Sequence, residues 1–134
     1  MIETIKITQH EINHLLSLQE DHFFDVKAKD IKPAKLQETF VAFANSDGGD
    51  IYIGIHDPSI ITNRLCPFTS KEEANDIIVH LLERTSPAIE NVGIEFLELF
   101  TNDFILHFNV PKSPKVHYTE SGDCYRIPVL LVDN

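Results

Sequence analysis

A chain of 134 residues, 43% hydrophobic and 24% charged, has the size and make-up of one globular domain able to bury a real core. No apolar run approaches the roughly 18–20 residues that a bilayer demands, and Met1-Ile2-Glu3-Thr4 lacks the basic start and apolar centre of a secretion signal, so a cytoplasmic protein that does not enter membranes is expected. Twenty-one acidic against eleven basic residues leave a net charge of −10, which argues against broad non-specific gripping of nucleic acid.

Thr8 with Glu11 three residues on is a capping box, and Ile12, Leu15 and Leu16 behind it predict a first helix. His22 to Lys29 reads as a strand, with Phe24, Val26 and Ala28 on one face and Phe23, Asp25, Lys27 and Lys29 on the other. Pro33 opens a second helix whose stripe is Leu36, Phe40, Phe43 and Ala44. It ends at Asn45-Ser46-Asp47-Gly48-Gly49, where glycine suits a left-handed cap. Asp50 to Asp57 alternates as a strand, Ile51, Ile53 and Ile55 inward and Tyr52, Gly54 and His56 outward.

A loop holding Pro58 and Pro67 precedes a third helix, begun by a Ser70–Glu73 capping box and striped by Ala74, Ile77, Ile78, Leu81 and Leu82. Two strands, near Gly93 to Phe100 and Phe104 to Val110, flank Thr101-Asn102-Asp103 as a hairpin. Pro111 and Pro114 bracket a loop, and Tyr125 to Val132 reads as a last strand. There is no repeat or linker, so residues 1–134 form a single domain. The hairpin rules out a purely parallel sheet, and the expected fold class is α+β: a mixed β-sheet with about three helices packed on it.

Asp25-Val26-Lys27 places a carboxylate and an ammonium on one face of a strand, about 7 Å apart along the chain. In phosphodiester cleavage the carboxylate holds a divalent metal and the lysine stabilises negative charge. Glu20 before the strand and Asp57 after the next add hard oxygen ligands of the kind Mg²⁺ or Mn²⁺ prefers. Such residues are also commonplace on a solvated strand face. Lys27, Lys29, Lys32 and Lys35, opposed within their run only by Asp30, form either a solvated helix entry or a phosphate-facing patch. Gly48-Gly49 follows a helix and precedes a strand, the reverse of a phosphate-cradling loop, so it reads as a tight turn.

The remaining candidates favour structural readings. His10 and His14 lie one helical turn apart without a third ligand nearby, and His107 reads as a sheet residue. Cys66 and Cys124 read as two buried thiols of a reducing compartment rather than a zinc site or a disulfide. Tyr52, Tyr125 and Phe23 offer faces to nucleobases, but strand aromatics more often serve packing.

Glu20-Asp21-His22-Phe23-Phe24-Asp25-Val26-Lys27, followed by Phe40-Val41-Ala42-Phe43-Ala44-Asn45-Ser46-Asp47-Gly48-Gly49-Asp50-Ile51-Tyr52-Ile53-Gly54-Ile55-His56-Asp57, resembles the Schlafen AlbA-2 domain. The Pro111-Lys112-Ser113-Pro114 loop and the Tyr125-Arg126 segment fit the same pattern, so the resemblance covers nearly the whole chain. It implies a DNA-binding domain related to the Schlafen nuclease core. By motif, Glu20, Asp25 and Asp57 take the positions of that core's metal-binding catalytic acids, Lys27 that of its lysine and Arg126 that of its late arginine. Asp25 stands where glutamate is usual, His56 where an acid is frequent, and Ile127-Pro128 where glycine is usual.

Three readings follow. The first is a nucleic-acid-binding domain of a transcriptional regulator or defence-type protein, holding phosphates with Lys27, Lys29, Lys32, Lys35 and Arg126 and needing no cofactor. The second is a metal-dependent nuclease using Glu20, Asp25, Asp57 and Lys27 with Mg²⁺ or Mn²⁺. The third is a protein-interaction or assembly domain, which the charge of −10 favours. The first expects a further domain downstream of Asn134, and DNA against RNA, self-association and sequence preference stay open. The first two require a positively rimmed groove beside the strand that bears Asp25 and Lys27.

Overall fold

Alternation along the strands divides the apolar residues between two faces of one sheet, and that division sets the architecture. The computed structural model describes residues 2–60 and 62–127. Five strands, β1 (Glu3–Lys6), β2 (Phe24–Lys27), β3 (Gly49–Ile53), β4 (Gly93–Glu98) and β5 (Phe104–Val110), lie in the order β1-β4-β5-β3-β2. β1 runs parallel to β4 and β2 to β3, whereas β5 is antiparallel to both β4 and β3. The sheet is therefore mixed. With α1 (Gln9–Ser17), α2 (Pro33–Ala44) and α3 (Asn75–Glu83) packed on it, the fold is α+β.

In β5, Ile105 packs with Ile12 and Leu15 of α1, while Leu106, Phe108 and Val110 pack with Leu36, Phe40 and Phe43 of α2 and Ile77 and Leu81 of α3. The sheet is the middle layer between α1 on one side and α2 with α3 on the other. A strand buried on both faces needs a continuous apolar run, which is what Phe104–Val110 shows apart from His107 and Asn109. Among the described residues, no helix is long and apolar enough to cross a membrane.

The local signals explain the helix starts. Thr8 Oγ1 accepts the Glu11 N–H at 3.1 Å, and Glu11 Oε1 accepts the Thr8 N–H at 3.0 Å. Ser70 and Glu73 form the second box, but the turn they open winds as a 3₁₀ helix over Lys71–Ala74 before α3 begins. α2 starts at Pro33 without any side-chain cap.

The glycine pair after α2 is where three chain segments meet. Gly48 has φ +80°, and its N–H reaches the Phe43 carbonyl at 2.8 Å. A Cβ there would lie 2.6 Å from the Val110 carbonyl oxygen, and one at Gly49 would lie 2.9 Å from that of Phe23.

Several boundaries differ from the sequence expectation. β1 had no signal of its own. β2 is shorter than His22–Lys29, and β3 stops at Ile53 instead of reaching Asp57. The cause of the second is Gly54, at φ +119°: its N–H and that of Ile55 both turn to the Lys27 carbonyl, at 2.8 and 3.1 Å. Ile55 consequently joins the α1-side cluster instead of following Ile51 and Ile53. Of the strand expected at Tyr125–Val132, residues 125–127 are irregular chain outside the sheet, and the rest lies outside the described residues. Both cysteines are free; Cys66 is half-buried but Cys124 is exposed, so the pair of buried thiols is not what forms.

The two sheet edges differ. On β2, the Asp21 N–H bonds to the Phe24 carbonyl at 3.1 Å, and the Val26 N–H bonds to Glu20 Oε2 at 3.3 Å. The chain thus caps its own edge. Among the described residues, nothing pairs with the outer side of β1.

Candidate nucleic-acid interface

Because Phe24 and Val26 belong to the α1-side core, Asp25 and Lys27 leave β2 on the opposite side, toward α2. Their expected pairing forms, with Lys27 Nζ 3.0 Å from Asp25 Oδ2. Asp25 also lines a cleft of about 410 Å³ between the start of β2 and α2, together with Glu20, Glu38, Phe43, Tyr125 and Arg126.

Lys27 has acids on two sides. The Asp57 carboxyl is held below the usual carboxylate range, first by the Ser59 backbone N–H at 2.8 Å and then by the Ser59 side chain, with smaller help from the charges of Lys27 and Arg64. Glu20 sits at the outer edge of β2, one oxygen on the Val26 amide.

A hard divalent cation needs several oxygens turned to one point. Among the described residues, no three His, Cys, Asp or Glu side chains converge in that way. Asp25 faces an ammonium, Asp57 and Glu20 face backbone amides, and Asp57 is not part of the cleft wall. The set expected to hold Mg²⁺ or Mn²⁺ does not fit a metal in this arrangement.

The lysine run is less open than its sequence suggests. Besides the Lys27–Asp25 pair, Lys29 lies 3.7 Å from Glu73 and Lys35 lies 3.2 Å from Glu38. The neutralising acids come from outside the run, which is why counting Asp30 alone left an apparent surplus. Among the described residues, Lys32 and Arg126 are exposed and have no ion pair. The groove beside β2 therefore exists. Glu20, Asp21, Asp25 and Glu38 line it against one cation, Arg126, and none of the four lysines does, so the positively rimmed groove that the first two readings require is not what forms.

Polar residues that the sequence did not single out shape this region. Asn45 Nδ2 donates to the carbonyls of His117 at 2.9 Å and Tyr125 at 3.0 Å, and its Oδ1 accepts the His117 N–H at 2.8 Å. Ser46 Oγ accepts the Ile127 N–H at 2.8 Å. Gln37, 1% exposed, donates to Thr85 Oγ1 at 3.0 Å and accepts the Glu120 N–H at 3.1 Å. A glutamine on the apolar stripe of α2, between Leu36 and Phe40, was the available clue to this last contact.

On the α1 side, His107 lies between Asp50 and Glu95, 2.7 Å from each, and stacks on Tyr52 at 4.2 Å. Phe24, from the neighbouring strand β2, lies tilted against that tyrosine at 5.6 Å, so Tyr52 is engaged in packing. Burial, with the negative charges of Asp50 and Glu95, pushes the Tyr52 phenol up to about 12. Phe23 stays exposed beside the β2 edge. His10 and His14 line a groove with Tyr52, Glu95 and Leu97 but, among the described residues, belong to no metal-holding group.

A family model described as Schlafen, AlbA_2 matches residues 20–126, a span that starts and ends on two of the residues weighed above. No curated protein matches the chain. Among solved structures, the DIP2311 protein from Corynebacterium diphtheriae superposes with a TM-score of 0.57 at 15% identity, over 88% of this chain and 28% of its own. That likeness is one of fold.

Proposed function

Since the chain belongs to the Schlafen AlbA_2 family, a membership that supports a nucleic-acid-related domain, we propose that it binds nucleic acid by the phosphate backbone and leaves the strand intact. The observation that carries this reading is the N-terminus of α2. It has no side-chain cap and no acidic residue in its first turn, and Lys32 and Lys35 stand on it. A helix start of this kind carries partial positive charge and attracts anions. Arg126, which lines the cleft farther along α2, supplies a second contact. The carboxylates that would have to collect a metal for cleavage are engaged elsewhere. Within this reading the domain serves a regulator or defence-type protein as its nucleic-acid anchor.

Titrating labelled single-stranded RNA, single-stranded DNA and duplex DNA against the chain at 50 and 200 mM salt tests the reading. Each neutralised phosphate steepens the fall of log affinity with log salt by about 0.9 on duplex DNA. Lys32 and Arg126 alone give a slope of about −2, and all five candidate cations about −4.5. A slope near −2 is expected. Binding indifferent to salt, or none at low salt, moves the domain to a protein-binding role. Mn²⁺-dependent cleavage that disappears in Asp25→Ala establishes the nuclease reading instead.

A further inference from the structure

Arg126 is the residue whose position most needs explaining. Four carboxylates, Glu20, Asp21, Asp25 and Glu38, line the same cleft, and each attracts a guanidinium. Yet among the described residues Arg126 has no ion pair and remains exposed. It lies in irregular chain outside the sheet, so no ladder of backbone hydrogen bonds holds it.

What holds it is the end of α2. The residue before it, Tyr125, gives its carbonyl to Asn45 Nδ2 at 3.0 Å, and the residue after it, Ile127, gives its N–H to Ser46 Oγ at 2.8 Å. The same Asn45 fixes the backbone N–H and carbonyl of His117 at 2.8 and 2.9 Å, so one side chain ties the two legs of the 117–125 loop together. His117 is itself buried, with its ring nitrogens on the Pro87 carbonyl and the Ser113 hydroxyl. The anchor is therefore continuous with the core. It brackets Arg126 on both sides while leaving its side chain free.

We propose that Asn45 and Ser46 are positioning residues whose clamp on Tyr125–Ile127 holds Arg126 at the mouth of the α2–β2 cleft as an arm for a backbone phosphate of nucleic acid. This rests on the nucleic-acid reading above. Fixed backbone on both sides limits how far the guanidinium can fold onto the cleft carboxylates. A phosphate then meets a cation already oriented, which reduces the ordering needed on binding.

The test compares Arg126→Ala, Asn45→Ala, Ser46→Ala and the Asn45→Ala/Arg126→Ala double variant in the salt titration. Loss of one charged contact weakens binding roughly tenfold and flattens the salt slope by about 1. Asn45→Ala is expected to reproduce both effects with Arg126 still present, and the double variant to bind no more weakly than Arg126→Ala alone. A purely structural asparagine would lower thermal stability and leave the slope unchanged. Should Asn45→Ala fail to fold, Ser46→Ala provides the same comparison, with loss of hydrogen-exchange protection at the Ile127 amide showing that the clamp has opened. Arg126→Ala weakened while both clamp variants keep wild-type affinity and slope overturns the clamp alone, as does an additive double variant. A wild-type chain without salt-sensitive binding overturns the parent reading and this proposal with it.

Discussion

Replacing three glycines one at a time by alanine separates two physical effects that Gly48 combines. At Gly48 the backbone has φ +80°, and a new Cβ would meet the Val110 carbonyl oxygen at 2.6 Å and the Lys112 nitrogen at 2.9 Å. At Gly49 the backbone raises no such objection, but the Cβ would crowd three Phe23 backbone atoms at 2.9–3.1 Å. At Gly122 the φ is +88° with nothing within 4 Å. Holding an L-residue in the left-handed region costs about 1–2 kcal/mol, and forcing backbone aside costs about 1–3 kcal/mol. The lower entropy of the unfolded alanine chain offsets roughly 0.4–1 kcal/mol in every case. Gly48→Ala is therefore expected to lose about 1–4.5 kcal/mol, and Gly122→Ala about 1.5 kcal/mol or less. At roughly 4 °C per kcal/mol for a chain of this size, thermal midpoints should fall by about 4–18 °C and by about 6 °C or less. Gly49→Ala falls between them, and because it pushes on Phe23 it also disturbs the entry to β2. Differential scanning calorimetry on the four proteins decides the matter. Equal midpoints for Gly48→Ala and Gly122→Ala would refute the close-approach argument.

Two further outcomes are expected. Gln37→Leu keeps the volume but leaves the Glu120 N–H without its acceptor and Thr85 without its donor, so urea denaturation should show a loss of about 2–3 kcal/mol; a change under about 0.5 kcal/mol would mean that water replaces both contacts. Tyr52 binds its proton more tightly folded than unfolded, its phenol moving from 10.0 to about 12. Its contribution to stability is complete below pH 10 and is lost as the pH climbs from 10 to 12. Phenolate absorbance should show a late step that Tyr52→Phe abolishes, and simultaneous ionisation of all three tyrosines near the ordinary value of about 10 would contradict it.

What could be read from the chain and what could not divide along the range of the interactions. The boxes at Thr8 and Ser70, the proline at Pro33 and the alternation from Phe24 to Lys27 act over a few residues, and each forms where expected. The hairpin does too, with Asn102 at φ 64° in its turn. β1 was illegible because four residues of mixed polarity become a strand only when β4 offers an edge. β3 looked longer than it is because Ile51, Ile53 and Ile55 share a period of two, and the period says nothing of the bend at Gly54. The same limit governs the site. Asp25 and Lys27 were placed on one face by local geometry, correctly. The partners of Lys29 and the clasp between Asn45 and residues 117–125 join positions more than forty residues apart, where no local pattern exists.

The unequal flanks of the sheet bear on how the domain can be handled and joined. Among the described residues, Glu20 and Asp21 seal the β2 side while nothing pairs with the outer side of β1, so an incoming strand, whether from a fusion partner or from a misfolded neighbour, finds its berth alongside β1. A tag grafted ahead of Glu3 abuts that receptive margin and is the more disruptive choice. A proline or an additional lysine in such a tag would discourage unwanted docking while leaving the opposite edge, beside the α2–β2 cleft, untouched.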